Sequence, residues 1–177
     1  MRRTLIAIAL SLLALIAGLG AWGATLPREH TVRAQIALAV PPESVYTVMR
    51  DIGALPAWWH DVEKVEAVTG TDGYERWKET SDGMAFTLII NTEEPPLRFT
   101  TRIDTTGNPG FGGMWTHEVA LASGGGTTVT ITEEGWVANP YFRVMMKLGG
   151  PTRTIDSYLT ALGSRFGASV TPAHLTP

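Results

Sequence analysis

Residues 4–26 carry no charge and are rich in Leu, Ile and Ala. At about 1.5 Å per residue, such a run predicts a helix able to cross a hydrocarbon core roughly 30 Å thick. From Thr31 the period changes to two. Val32, Ala34, Ile36 and Leu38 alternate with Arg33 and Gln35, the pattern of a half-buried strand. Pro41-Pro-Glu43 then opens a helix, because proline suits a first turn and an early acid suits the positive helix end. Val45, Val48, Met49 and Ile52 continue it at helical spacing until Gly53 and Pro56 break it, which places Trp58 and Trp59 in the loop beyond.

Six further strands are predicted at 62–68, 74–80, 84–91, 98–104, 113–121 and 127–134. Turn signals separate them: Thr71-Asp-Gly73, Ser81-Asp-Gly83, Glu94-Pro-Pro96, the glycine-rich 107–113 and Ser123-Gly-Gly-Gly126. Loops this short join antiparallel neighbours. Asn139-Pro140 caps a closing helix on which Phe142, Met145 and Met146 share a stripe. Gly149-Gly-Pro151 interrupts it, and Ile155, Tyr158, Leu159, Leu162 and Phe166 resume the stripe. No period follows Ala168. The chain thus divides into an apolar segment at 1–27, a body at 28–167 and a loose tail at 168–177. Seven antiparallel strands need a cover for one face, and only the closing helix supplies a large enough apolar stripe. The expected fold is α+β: a curved sheet around one long C-terminal helix, with two short helices after the first strand.

Charge sharpens this picture. Residues 28–177 hold 12 Lys and Arg against 17 Asp and Glu, a net of −5, with no basic cluster. That argues against a nucleic-acid partner. There is no cysteine, which removes disulfides, thiolate chemistry and Cys-ligated zinc. Arg2 and Arg3 ahead of the apolar run, with only Arg28 behind, orient the N-terminus to the cytoplasm and the body outside it, on the periplasmic or extracellular face. A signal peptide cleaved after Gly23 is the alternative, and it would give a secreted form. Gly18-Leu-Gly-Ala-Trp-Gly23 has dinucleotide-loop spacing but no strand before it, so it carries no cofactor meaning.

The chain resembles the SRPBCC superfamily, the helix-grip proteins that include START domains, plant pollen allergens and polyketide cyclases/dehydrases. The resemblance rests on Ala39-Val-Pro-Pro-Glu-Ser-Val-Tyr-Thr-Val-Met-Arg-Asp51, Leu55-Pro-Ala-Trp-Trp59, Gly112-Gly-Met-Trp-Thr-His-Glu-Val119 and Gly126-Thr-Thr-Val-Thr-Ile-Thr-Glu-Glu-Gly135. Asn139-Pro-Tyr-Phe-Arg143 and Tyr158-Leu-Thr-Ala-Leu162 complete it. It implies a hydrophobic cavity between sheet and helix. Candidate ligand-binding residues are Trp58, Trp59, Trp77, Phe86, Phe99, Phe111, Trp115, His117, Phe142, Met145 and Met146.

His117 lies within a strand, on the face of Trp115, Val119 and Leu121. If the Ser123–Gly126 hairpin pairs Val119 with Val129, His117 faces Ile131 and Glu133 faces Trp115, so His117 and Glu133 are diagonal neighbours. They are candidate acid/base residues, although hydrogen-bonded structural residues would look the same. On the 74–80 strand, either Trp77 and its face or Arg76 and Lys78 point inward. His30, His60 and His174 show no ligand spacing, so no metal is expected, and no cofactor motif is present. The leading expectation is a membrane-tethered, extracytoplasmic carrier of a small hydrophobic ligand (a lipid, polyketide or isoprenoid). The alternatives are a cyclase/dehydratase using His117 and Glu133, or a closed domain acting through a protein partner. The net +3 of residues 139–167 offers a further approach to anionic lipid.

Overall fold

The computed structural model describes residues 2–81, 83–107 and 110–176. The expected turns around Ser81-Asp-Gly83 and 107–113 include Asp82, Asn108 and Pro109, which lie outside the described residues. The apolar run forms helix α1 (Arg2–Thr25), and strand β1 (Glu29–Leu38) follows at once. Helix α2 (Pro42–Arg50) starts on its prolines and leads into a 3-10 turn (Ile52–Ala57). Six strands come next: β2 (Val62–Val68), β3 (Arg76–Ser81), β4 (Met84–Glu94), β5 (Arg98–Ile103), β6 (Phe111–Leu121) and β7 (Thr127–Val137). Helices α3 (Pro140–Gly149) and α4 (Arg153–Arg165) and a short strand β8 (Ala173–Leu175) complete the chain.

All strands join one antiparallel sheet in the order β2-β3-β4-β5-β6-β7-β1-β8. Strands β1 and β2 stand far apart in it, so α2 and the 3-10 turn must cross one end of the curved sheet. Arg50 at the end of α2 secures that crossing. Its guanidinium donates to Glu75 at 2.6 Å and to Glu93 at 3.0 Å, while Tyr46 donates to Glu93 at 2.9 Å. The β6–β7 hairpin closes on Gly126, whose φ of +80° is left-handed and whose missing Cβ lets Leu38 O approach. At Thr127 the hydroxyl then donates to Val40 O at 2.5 Å.

The helix-grip architecture is present, and three details differ from the sequence expectation. The sheet has eight strands, not seven. Within the tail expected to be loose, β8 pairs with Arg33–Gln35 of β1, Val170 packs onto the flat spot left by Gly163, and His174 bonds Asp156 at 2.9 Å. Three residues of strand are too few to show alternation, so periodicity had nothing to detect. The long C-terminal helix is two helices. Gly150, with a φ of +91°, and Pro151 end α3 at the interruption expected at Gly149-Gly-Pro151, so that α4 packs by itself on part of the sheet's concave face.

On α4, Ile155, Tyr158, Leu159 and Leu162 are fully or almost fully buried, at the spacing of one helix face. They form one core with Ala34 and Ile36 of β1, Val129 and Ile131 of β7, Phe99 of β5 and Val45 and Met49 of α2. Truncating a fully buried leucine removes its transfer free energy and leaves a void. Leu159→Ala is therefore expected to cost about 2–5 kcal/mol in urea unfolding. Leu121→Ala, at a side chain 74% exposed, is expected to change stability by less than about 0.5 kcal/mol.

Candidate functional site

A cavity of about 740 Å³ lies between α4 and the sheet, with α3 over its mouth. Its walls are mainly apolar. Trp59, Phe86, Leu88, Phe111, Trp115 and Met49 line the interior, and Met84, Phe142, Met145 and Met146 line the rim with Gly149, Gly150 and Pro151. The volume exists because α4 covers only part of the concave face. A core packed shut, the premise of the closed-domain alternative, is not what the chain forms.

Of the expected ligand-facing residues, Trp59, Phe86, Phe111, Trp115, His117, Phe142, Met145 and Met146 line this cavity. Trp58, Trp77 and Phe99 are placed elsewhere. Trp58 meets Tyr158 edge to face at 5.3 Å within the core. Phe99 is fully buried and stacks flat against His117 at 4.2 Å. Trp77 leans on the core over Gly53 and donates its indole N–H to Glu75 at 2.6 Å. The tandem tryptophans thus divide: Trp58 packs, and only Trp59 faces the cavity. Trp59 is held there by its Nε1, which donates to Ser157 Oγ at 3.1 Å, and that hydroxyl in turn donates to Asp61.

The β6–β7 register is the one the hairpin predicted, with Val119 opposite Val129, His117 opposite Ile131 and Trp115 opposite Glu133. The expected partnership of His117 with Glu133 does not form. His117 sits between Phe99 and Tyr158, and its Nδ1 is buried with no partner among the described residues. Glu133 instead meets His30 of β1, with Nε2 3.2 Å from Oε1. Glycine makes that contact possible: a Cβ on Gly135, opposite His30 in the ladder, would stand 2.6 Å from the imidazole. The second carboxylate oxygen of Glu133 is buried with no partner among the described residues, as is the Tyr158 hydroxyl. Sequence reasoning set His30 aside because, like His60 and His174, it shows no ligand spacing, and its partner lies 103 positions along the chain.

Glu79 was also missed as a cavity residue. It is 4% exposed on the inward face of β3, and Ser81 Oγ donates to it at 2.6 Å. Strand β3 therefore gives the cavity a carboxyl, not a cation. Arg76 is tied to Asp72, with Nη2 2.6 Å from Oδ2, and Lys78 is exposed. Burial raises the Glu79 pKa, partly opposed by the Ser81 hydrogen bond, and so favours the neutral acid. Burial also raises the Tyr158 pKa, leaving its hydroxyl as a hydrogen-bond donor at neutral pH. Among the described residues, no cluster of three or more His, Cys, Asp or Glu could hold a metal ion.

Burial pushes His117 down to about 3, against a weaker opposing hydrogen bond to the Phe99 backbone. The folded protein thus keeps the imidazole neutral where the unfolded chain, with an ordinary value of about 6.5, takes up a proton. Stability linked to this group is complete above about pH 6.5 and is lost as pH falls toward 3, at up to about 1.4 kcal/mol per unit. Urea unfolding at pH 6.5 and 5.0 is expected to show the native chain losing up to about 2 kcal/mol more than His117→Phe over that interval.

Solved structures share this architecture. The Zhui aromatase/cyclase from Streptomyces sp. R1128 superposes with a TM-score of 0.64 at 17% identity, covering 78% of this chain and 94% of that one. A conserved protein from Geobacillus kaustophilus gives 0.62 at 17% identity, covering 82% and 100%. A START superfamily protein from Mycobacterium smegmatis gives 0.59 at 14%, covering 78% and 97%. At these identities the likeness is one of fold. A search of curated proteins found no match. Residues 29–160, which run from the first strand into α4 and contain almost all of the cavity lining, match the family described as polyketide cyclase/dehydrase and lipid transport, and the chain belongs to that family.

Proposed function

We propose that this protein is a membrane-tethered carrier of a small hydrophobic ligand of lipid, polyketide or isoprenoid character, held in the cavity with its domain outside the cytoplasm. The observation that carries this reading is the cavity itself: about 740 Å³, walled by aromatic and aliphatic side chains, with only a few polar atoms. Pockets of this size and composition bury most of a drug-sized molecule. The polar minority of the lining, His30, Glu79, Glu133 and Arg153 among them, suits an apolar body with a polar end. The tether is α1, a helix long and apolar enough to cross a membrane, with two arginines at its start.

A second reading has one observation in its favour. His30 and Glu133 form an imidazole–carboxylate pair within the cavity lining, an arrangement suited to moving a proton to or from a bound hydroxyl or acidic carbon. If there is turnover, this pair carries it and the solvent-shielded His117 does not.

Native mass spectrometry of the full chain released from mild detergent separates these readings. A carrier is expected to show a reproducible added mass that extracts unchanged into organic solvent. Leu88→Trp, which fills the cavity, is expected to lower that occupancy at least tenfold while leaving the fold intact. A bare protein that takes up no apolar probe would overturn the binding role. Incubation of the extracted ligand with native chain should return it unaltered. Conversion to a product that Glu133→Gln binds but no longer forms would establish the enzyme reading instead.

A further inference from the structure

Helix α1 is more than a tether. Its last three turns pack against α3, the helix that covers the cavity mouth. Gly20 and Gly23 form the contact: a Cβ on Gly20 would stand 2.7 Å from the Tyr141 hydroxyl, and one on Gly23 would stand 2.1 Å from Pro140 O. Two polar links bind the same surfaces. Tyr141 donates to Ile16 O at 3.3 Å, and Arg143 donates to Leu26 O at 2.8 Å. Small residues that bring two helix backbones together are the usual device of helix packing in lipid. Gly18 lies off this face and would meet nothing within 4 Å.

The outer side of α3 is apolar and uncovered. Tyr141 and Phe142 are nearly half exposed, Met145 is 64% exposed and Leu148 is 73% exposed. Helix α1 is likewise apolar and exposed up to the turn where Tyr141 bonds Ile16 O, with Leu12, Leu13, Leu15 and Ile16 all uncovered. Helix α3 carries Arg143 and Lys147 and no acid, as suits a helix lying among lipid headgroups. Phe142 and Met145 also line the cavity rim, so whatever covers α3 controls access to the interior.

We infer that α3 is a bilayer-embedded lid. With α1 spanning the membrane, the Gly20/Gly23 contact holds α3 in the outer leaflet, and the cavity mouth opens to lipid rather than to water and admits membrane-resident amphiphiles. This rests on the tether reading above and adds an occupant for the exposed face, the lipid bilayer, together with a route for the ligand.

The chain contains no cysteine, so a single Cys reports from one place. The full chain would be reconstituted in phosphatidylcholine/phosphatidylglycerol vesicles, with an environment-sensitive fluorophore on Leu148→Cys or, as reference, on Leu121→Cys at the far end of β6, about 30 Å from that strand's cavity end. The label at 148 is expected to be quenched by nitroxide-bearing lipid and spared by aqueous iodide, and the label at 121 the reverse. Similar quenching at both positions would overturn the lid. Gly23→Leu and Gly20→Leu are each expected to move the 148 label toward water, whereas Gly18→Leu leaves it unchanged. A label that stays in lipid in both contact variants would overturn the coupling to α1. Leu148→Asp is expected to slow loading of a pyrene-labelled fatty acid from vesicles at least tenfold, and unchanged loading would overturn the route. Extraction of the native chain by carbonate would instead mean that the tether reading itself fails. An empty cavity beside a lipid-quenched 148 label would leave the lid standing and remove only the carrier.

Discussion

The structure depends on a mismatch of lengths. Strands β6 and β7 each have eleven residues, about 36 Å of sheet, while the thirteen residues of α4 make a helix of about 20 Å. A helix that short covers little more than half of the concave face. Its buried stripe, Ile155 to Leu162, fixes one half of the sheet as a solid core, and the uncovered half becomes the cavity. The break at Gly149–Pro151 thus sets the cavity's size as well as ending a helix. Had α3 continued the axis of α4, Phe142, Met145 and Met146 would have filled the space they now border.

The polar atoms in that space fall into two groups. The pairs Ser81–Glu79 and His30–Glu133 have partners in the protein. His117 Nδ1, Glu133 Oε2 and the Tyr158 hydroxyl are buried and have none among the described residues. Each such atom costs stability, on the order of 1–3 kcal/mol. Burial holds His117 neutral throughout the ordinary pH range, and Phe99 and Tyr158 fix its ring.

Local signals made much of this legible from the residues. The Ser123–Gly126 hairpin fixed which β6 residues face which β7 residues, since a two-residue period and a short loop leave little freedom. The helix break was visible in Gly149-Gly-Pro151. What stayed hidden was non-local. His30 pairs with Glu133 only because the strands after the α2 crossover return across the sheet until β7 lies beside β1, and nothing near His30 in the chain announces that neighbour. Trp58 and Trp59 are the same residue type in the same loop and both meet Tyr158 edge to face, and what sets Trp59 apart is its hydrogen bond to Ser157 on α4. Glu79 shares a face with Trp77, but a carboxylate on an inward face runs against hydropathy and is settled only by its burial.

Helix α3 shows why the N-terminal segment and the domain have to be considered together. Ten residues are too few for a helix to persist by itself in water, and α3 buries only Val144 against the domain. Its Asn139 cap and proline start help it begin, but they do not give it a surface to rest on. That surface is α1, reached through two glycines and two hydrogen bonds. The sequence read as separate parts, an anchor and a soluble body, contains no hint that one organises the mouth of the other. The packing joins them, because the element at the cavity rim is also the element that the domain holds least and the apolar helix holds most.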